Sequence, residues 1–156
     1  MASSTRPISV ADLEEVIAID KVNTGHGRRH CFEKRFAAAK ARPADFAHVG
    51  VTENGVLRGF AIARILRGEF GQKDAIAVVD ALGVSPESRE HGLGHILMDG
   101  LVAAARAQGA QSVQSLVDWK NTDLLRFFNT AHFKLAPRLA LECAMTELRV
   151  EADEEP

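Results

Sequence analysis

The chain has 156 residues, of which 46% are hydrophobic and 26% charged, an ordinary make-up for a soluble globular protein and enough for one domain with a buried core. A net charge of −2 leaves no electrostatic case for nucleic acid or an anionic membrane as the main partner, so any anionic ligand has to be held locally. Residues 1–10 are short and polar, Asp12, Glu14 and Glu15 follow, and no run approaches the ~18 apolar residues of a membrane span, which points to a cytoplasmic protein. Cys31 and Cys143 are far apart and lack motif partners, so both read as free thiols, with no disulfide framework and no metal site.

In chain order, residues 5–10 read as a short first strand, and Ala11 and Asp12 open a helix carrying Leu13, Val16, Ile17 and Asp20 at helical spacing. Residues 21–30 hold Asn23, His26, Arg28, Arg29 and His30 with little periodicity, a loop entering a second helix over 29–41 that Arg42-Pro43 ends. Asn54-Gly55 between the apolar runs 46–52 and 56–66 is a strong hairpin signal, because both turn residues tolerate positive φ. A polar turn over 67–73 leads to a third antiparallel strand at 74–84, a turn, and an amphipathic helix closed by Gly109. A buried strand at 112–117, parallel to the one before the helix, a helix at 121–130 with Leu124, Leu125, Phe127 and Phe128, and two late strands at 133–135 and 139–148 complete the expected fold. Residues 1–150 form one domain, and 151–156 form an acidic tail expected to be disordered.

Everything is organised around residues 84–109. Arg89, Gly92 and Gly94 stand in the turn and at the helix start, where backbone N–H groups lack helical partners, the helix dipole is positive and glycine admits a phosphate close to the backbone. The G-x-G pattern by itself is weak, and Gly25-His26-Gly27 carries no ligand on that ground. A preceding strand, an arginine three residues ahead and a following helix give Gly92-Leu93-Gly94 its weight. A Walker A loop would need G-K-[S/T], which is absent, and the dinucleotide fingerprint would need a third glycine where Leu97 stands.

Val84, Pro86, Arg89, Gly92, Gly94 and Leu97, in the order V-x-P-x-x-R-x-x-G-x-G-x-x-L, resemble the acyl-coenzyme A binding motif of the GNAT superfamily of N-acetyltransferases. The order β-α-α-β-β-β-α-β-α-β-β resembles that fold along nearly the whole chain. The resemblance implies an α/β (α+β) architecture: a mixed central sheet, an N-terminal antiparallel meander, a coenzyme A-binding strand–turn–helix and a splayed parallel strand pair. It also implies acetyl-CoA as cofactor, held by the turn amides around Arg89, Glu90, His91, Gly92, Leu93 and Gly94, by Val84 along the pantetheine, and by Asn121 and Phe128. Leu82 would supply a backbone N–H to the thioester oxygen, and Gly83 is compatible with a distorted strand. Asp80, placed by two-residue alternation on the face of Leu82 and Val84, resembles the acidic base position of some members; the alternative is a hydrogen-bonded strand carboxylate.

Asn121 and Phe133 match the family's second signature, but Phe128 stands where a tyrosine would be and His132 where a glycine would be. The chain has no tyrosine at all, so the usual phenolic acid for the departing sulfur is missing. A thiolate is a tolerable leaving group, and water, His132 or Cys143 are the substitutes; Phe128 could equally be a packing residue, and Cys143 a buried strand thiol. The implied function is transfer of acetyl from acetyl-CoA to a primary amine of a small molecule or peptide by direct attack in a ternary complex. The alternatives are a non-catalytic acyl-CoA-binding module and a nucleotide-binding α/β domain. The loop over 21–30 would border the acceptor, and homodimers are common on this fold.

Overall fold

The structure, a computed structural model, describes residues 2–68, 70–71 and 73–147. Its regular elements are β1 (Ser3–Pro7), α1 (Leu13–Thr24), α2 (Arg29–Ala41), β2 (Phe46–Glu53), β3 (Val56–Leu66), β4 (Ala75–Val84), α3 (Leu93–Ala107), β5 (Ala110–Ser115) and α4 (Thr122–Thr130). The strands form one sheet in the order β1-β2-β3-β4-β5, antiparallel as far as β4 and parallel between β4 and β5. This mixed sheet, with its meander and parallel pair, is the architecture expected from the motif.

Asn54 and Gly55 adopt φ of 53° and 81°, the pair of left-handed conformations a two-residue hairpin needs to match strand twist. Strand alternation then sorts the side chains onto two faces. Val49, Val51, Ala61, Ala63 and Val79 join Leu93, Leu97 and Leu101 of α3 and Phe128 of α4 on one face. Ile62 and Phe60 join Val16 and Ile17 of α1 and Phe32 and Phe36 of α2 on the other. The sheet is therefore sandwiched, with α3 and α4 on one side and α1 and α2 on the other.

The first strand ends at Pro7, short of the expected Val10, because Ser9 begins a capping box. Its side chain accepts from Ala11 N–H, while Asp12 accepts from Ser9 N–H at 3.0 Å and pairs with Arg6 at 2.8 Å. The expected loop over 21–30 is mostly helix. α1 continues to Thr24, Gly25 caps it with a φ of 77°, and only residues 25–28 separate it from α2. Two of the cations there have structural partners. Arg28 Nε lies 2.9 Å from Asp20, which is 2% exposed, and Arg29 makes two hydrogen bonds to Glu14 at 2.7 and 2.8 Å.

The two late strands do not form within the described residues. Residues 134–146 are all exposed and carry no strand, and Leu135, Leu139 and Leu141 are 98%, 88% and 92% exposed. A strand exists only when another edge takes up its N–H and C=O groups, and none does so here. Cys143 is correspondingly an exposed thiol, not a buried one. Residue 148 and the tail 151–156 lie outside the described residues. Among the described residues no helix is long and apolar enough to cross a membrane.

Candidate active site

β4 is paired on both sides for only half its length. Its register with β5 runs from Ala75↔Ala110 to Val79↔Ser115 and stops, while its register with β3 continues to Val84↔Gly59. Beyond Val79 a gap opens on the β5 side. Which backbone groups face it follows from strand geometry, in which successive residues point their N–H and C=O to opposite sides. Ser85 N–H donates to Arg58 O of β3 at 2.6 Å, so Gly83 also faces β3, and Leu82 and Val84 face the gap. Val84 O accepts from Asn23 Nδ2 at 3.0 Å, as that orientation requires.

The distortion expected near Gly83 sits three residues earlier. Ile62 pairs with Ala81 and Ala63 with Val79, which leaves Asp80 as the extra residue of a β-bulge. The bulge breaks two-residue alternation, and this overturns the placement of Asp80 on the face of Leu82 and Val84. Those two pack against the α3 cluster, whereas Ala81 packs against the α1–α2 cluster and Asp80 reaches Arg35 of α2. Gly83 serves another purpose: a Cβ there would lie 3.0 Å from Asn23 Nδ2 and 3.2 Å from the Phe60 ring.

Asp80 is heavily engaged. Arg64 Nε donates to both carboxylate oxygens at 3.0 and 2.9 Å, Arg35 Nε lies 3.2 Å from Oδ2, and the side chain is 19% exposed. Close by on the same face, His48 of β2 lies edge-on to Phe36 and Phe46 with both ring nitrogens unpartnered. Burial pushes its pKa down to about 4, against a smaller upward pull from Asp80.

At the end of β4 the chain passes through a 3-10 turn, Pro86–His91, into α3. Gly92 takes a φ of 73°, and a Cβ there would meet nothing, so its demand is conformational. Gly94 has the opposite reason: its missing Cβ would sit 2.9 Å from the Phe127 ring of α4. The first helical bond is Ile96 N–H to Gly92 O at 3.4 Å, which leaves the N–H groups of Leu93, Gly94 and His95 without helical partners. Leu93 itself is 1% exposed in the core, so only its backbone can serve a ligand.

Two side chains of the turn are tied back to the body. Arg89 donates to Asn23 Oδ1, and His91 Nδ1 lies 2.9 Å from Glu53, whose carboxylate is 9% exposed at the end of β2. Glu90 is exposed. Asn23 and Glu53 were both missed in the sequence, one assigned to a loop and the other to a hairpin turn. Gly25, read as the helix cap it is, would have placed Asn23 on the last turn of α1.

At α4, Asn121 is the N-cap, its Oδ1 accepting from Leu124 N–H at 3.2 Å. Phe128 is 5% exposed in the α3 cluster with its ring centroid 4.7 Å from that of Phe133. His132 is exposed with a φ of 67°, the left-handed conformation that makes glycine usual at such a position. The helix-start amides and the unpaired Leu82 N–H are thus brought to one end of β4, with Asn23 bridging the strand and Arg89. Asp80 is held on the opposite face, and Phe128 in the core.

The arrangement can bind an anion at the start of α3 and an extended chain along the open edge of β4. A profile of the acetyltransferase (GNAT) family matches residues 13–133. No curated protein matches the sequence. Among solved structures, AAC(6')-Iy in complex with the bisubstrate analog CoA-S-monomethyl-acetylneamine is similar with a TM-score of 0.75 at 18% identity, covering 92% of this chain and 99% of that one. Ribosomal-protein-alanine N-acetyltransferase from Brucella melitensis biovar Abortus 2308 has a TM-score of 0.73 at 15% identity, with 92% and 99% covered. Glucosamine-6-phosphate N-acetyltransferase from Arabidopsis thaliana has a TM-score of 0.67 at 14% identity, with 93% and 99% covered. At these identities the likeness is one of fold.

Proposed function

Since the chain belongs to the acetyltransferase (GNAT) family, whose members use acetyl-CoA, we propose that it transfers acetyl from acetyl-CoA to a neutral primary amine by direct attack in a ternary complex. The observation that carries this reading is the parted half of β4, where the Leu82 N–H points into a gap of the sheet and, among the described residues, no strand accepts it. A backbone donor held in that way costs no reorganisation when charge develops on a thioester oxygen, and such donors contribute roughly 10²–10³-fold in rate. Bound there, acetyl-CoA would supply an activated acyl group on a leaving thiolate. The amides of Leu93, Gly94 and His95 would take its pyrophosphate and the edge at Val84 its pantetheine, with Arg89 steadied by Asn23 at the rim.

Asp80 is here a positioning residue. Two guanidinium groups occupy its carboxylate, so its part is to hold Arg35 of α2 and Arg64 of β3 together beside the bulge. With the Asp80 carboxylate taken up by both guanidinium groups, the proposed acceptor arrives as the neutral amine. An α-amine, with a pKa of ~7.7–8.0, meets that requirement at neutral pH far better than a lysine-like amine near ~10.4. Amino-terminal peptides and small molecules with weakly basic amines are the acceptor classes that fit.

Thiol release from acetyl-CoA across a panel of amines tests the reading. Turnover that rises with the neutral fraction of each amine is expected, and Gly92→Val should lose affinity for CoA, because valine cannot readily take a φ of 73°. A second reading, a binding module without turnover, draws on the absence of tyrosine from the chain. CoA binding without thiol release for every amine would establish it. Undiminished CoA affinity in Gly92→Val would remove the site from the α3 start.

A further inference from the structure

Resting on the acetyl transfer proposed above, we propose that the acceptor is an α-amine with an uncharged apolar side chain beside it, selected by Leu116 and Trp119 on the β5 side of the gap. The direction of attack leads to these residues. A backbone donor bonds a carbonyl oxygen near the carbonyl plane, so a thioester oxygen held by the Leu82 N–H lays that plane roughly along the sheet. An amine reaches a carbonyl carbon from above or below that plane, which here means from one face of the sheet or the other. The α3 face is filled, since Leu82, Val84, Val117 and Phe127 all pack into the cluster around Phe128. The acceptor therefore comes from the α1–α2 face.

On that face the β5 wall of the gap is apolar and bare. Val113 and Val117 pack toward α3, so alternation turns Leu116 to the opposite face, one residue past Ser115, where the register with β4 ends. Leu116 is 84% exposed. Trp119 follows in the turn before α4 and is 81% exposed, with Asp118 shaping that turn by accepting from Lys120 N–H at 2.9 Å. Large apolar side chains this open, side by side at the edge of a site, mark where a ligand buries apolar surface of its own.

The charges of the region favour the same class. Asp80 is paired with Arg35 and Arg64, and Asp20 with Arg28, so these carboxylates do not call for a cationic acceptor side chain. Lys120 Nζ lies over the Trp119 ring, 5.9 Å from its centroid, and would repel one. What the wall offers is hydrocarbon and an indole ring. An aliphatic or aromatic group on the carbon that bears the amine would lie against both while the nitrogen reaches the gap.

The chain has a single tryptophan, so its fluorescence reports on Trp119 alone. The test titrates the dipeptides Leu-Gly, Phe-Gly, Gly-Gly, Ser-Gly and Lys-Gly into the CoA-bound protein and measures thiol release from acetyl-CoA with each. Leu-Gly and Phe-Gly should shift the emission to the blue and saturate, and their kcat/KM should exceed that of Gly-Gly by roughly tenfold, mostly through KM. Leu116→Asn should abolish the shift and bring Leu-Gly and Gly-Gly within about twofold of each other, with CoA binding by calorimetry showing that the variant is folded. Equal kcat/KM across the dipeptides, an unshifted wild-type emission, or a preference that survives Leu116→Asn would overturn the selection, and thiol release in any of those cases leaves the transfer standing. A saturable shift with Leu-Gly but no thiol release for any amine would support the selection and remove the transfer.

Discussion

The two halves of β4 belong to one strand and are built for different ends. Residues 76–79 are bonded to β3 on one side and β5 on the other, and Ala77 among them is fully buried. Residues 80–84 keep β3 and lose β5, beginning at the bulge at Asp80. The first half spends every donor and acceptor on the sheet and so has none to offer a ligand. The second half leaves Leu82 and Val84 facing a gap, and the strand stays in place because Gly83 and Ser85 are bonded to β3 and Asn23 braces Val84 O. An open strand edge can thus be made without a flexible loop, by ending one register early.

Proline scanning breaks the comparison most sharply. Ala77→Pro removes a ladder bond from a strand paired on both sides and should cost at least about 3 kcal/mol, seen as loss of the folding transition in thermal denaturation. Leu82→Pro removes an N–H with no strand partner. It should remain folded, bind CoA and lose thiol release by roughly 10²–10³-fold. Unfolding of Leu82→Pro would mean that this N–H is bonded within the sheet after all.

The packed side of the sheet carries a pH liability that the open half does not. His48 has a pKa near 4 in the fold, below its ordinary 6.5, so the unfolded chain binds the proton first. Stability is full above pH 6.5 and falls as pH drops from there toward 4, by about 3 kcal/mol at most from this one group. His48→Leu should therefore flatten the melting-temperature profile between pH 7 and pH 4.5. An unchanged profile would show that the ring is hydrated.

Phe128→Tyr asks to which region that ring belongs. Placed in the α3 cluster, its added hydroxyl finds no partner and should lower stability by about 1–3 kcal/mol while thiol release stays at the wild-type rate. Faster release would put the ring beside the departing sulfur. The smallest effect is expected from Asn23→Ala, which removes the brace on Val84 O and the partner of Arg89. Affinity for CoA should weaken by about 0.5–1.5 kcal/mol by calorimetry, with the melting temperature nearly unchanged.

Much of the meander was legible because its signals are local. Asn54-Gly55 states its own turn, the strand runs alternate, and Arg42-Pro43 ends α2 within a residue of the expected place. The turn between β4 and α3 was legible for the same reason, since Gly92 takes a left-handed backbone and Gly94 stands where a Cβ does not fit. Even there the sequence could not separate their reasons, because Gly94 is small for the sake of Phe127, which lies 33 residues away in the chain. The late strands were misjudged since alternation announces a strand without saying which edge accepts it.

By itself, then, the sequence determined the order of elements as far as α4, the sheet's antiparallel part, the helix start that suits an anion and the absence of a tyrosine acid, all set by backbone preference and composition. Only the tertiary structure decided where the register with β5 stops and that Asp80 sits in a bulge. It likewise decided that Asp80 is claimed by Arg35 and Arg64, and that Asn23 and Glu53 anchor the turn between β4 and α3. Those outcomes depend on which residues meet across the sheet. A bulge shifts every side chain after it to the other face, and no periodicity read along one strand registers what its neighbours do.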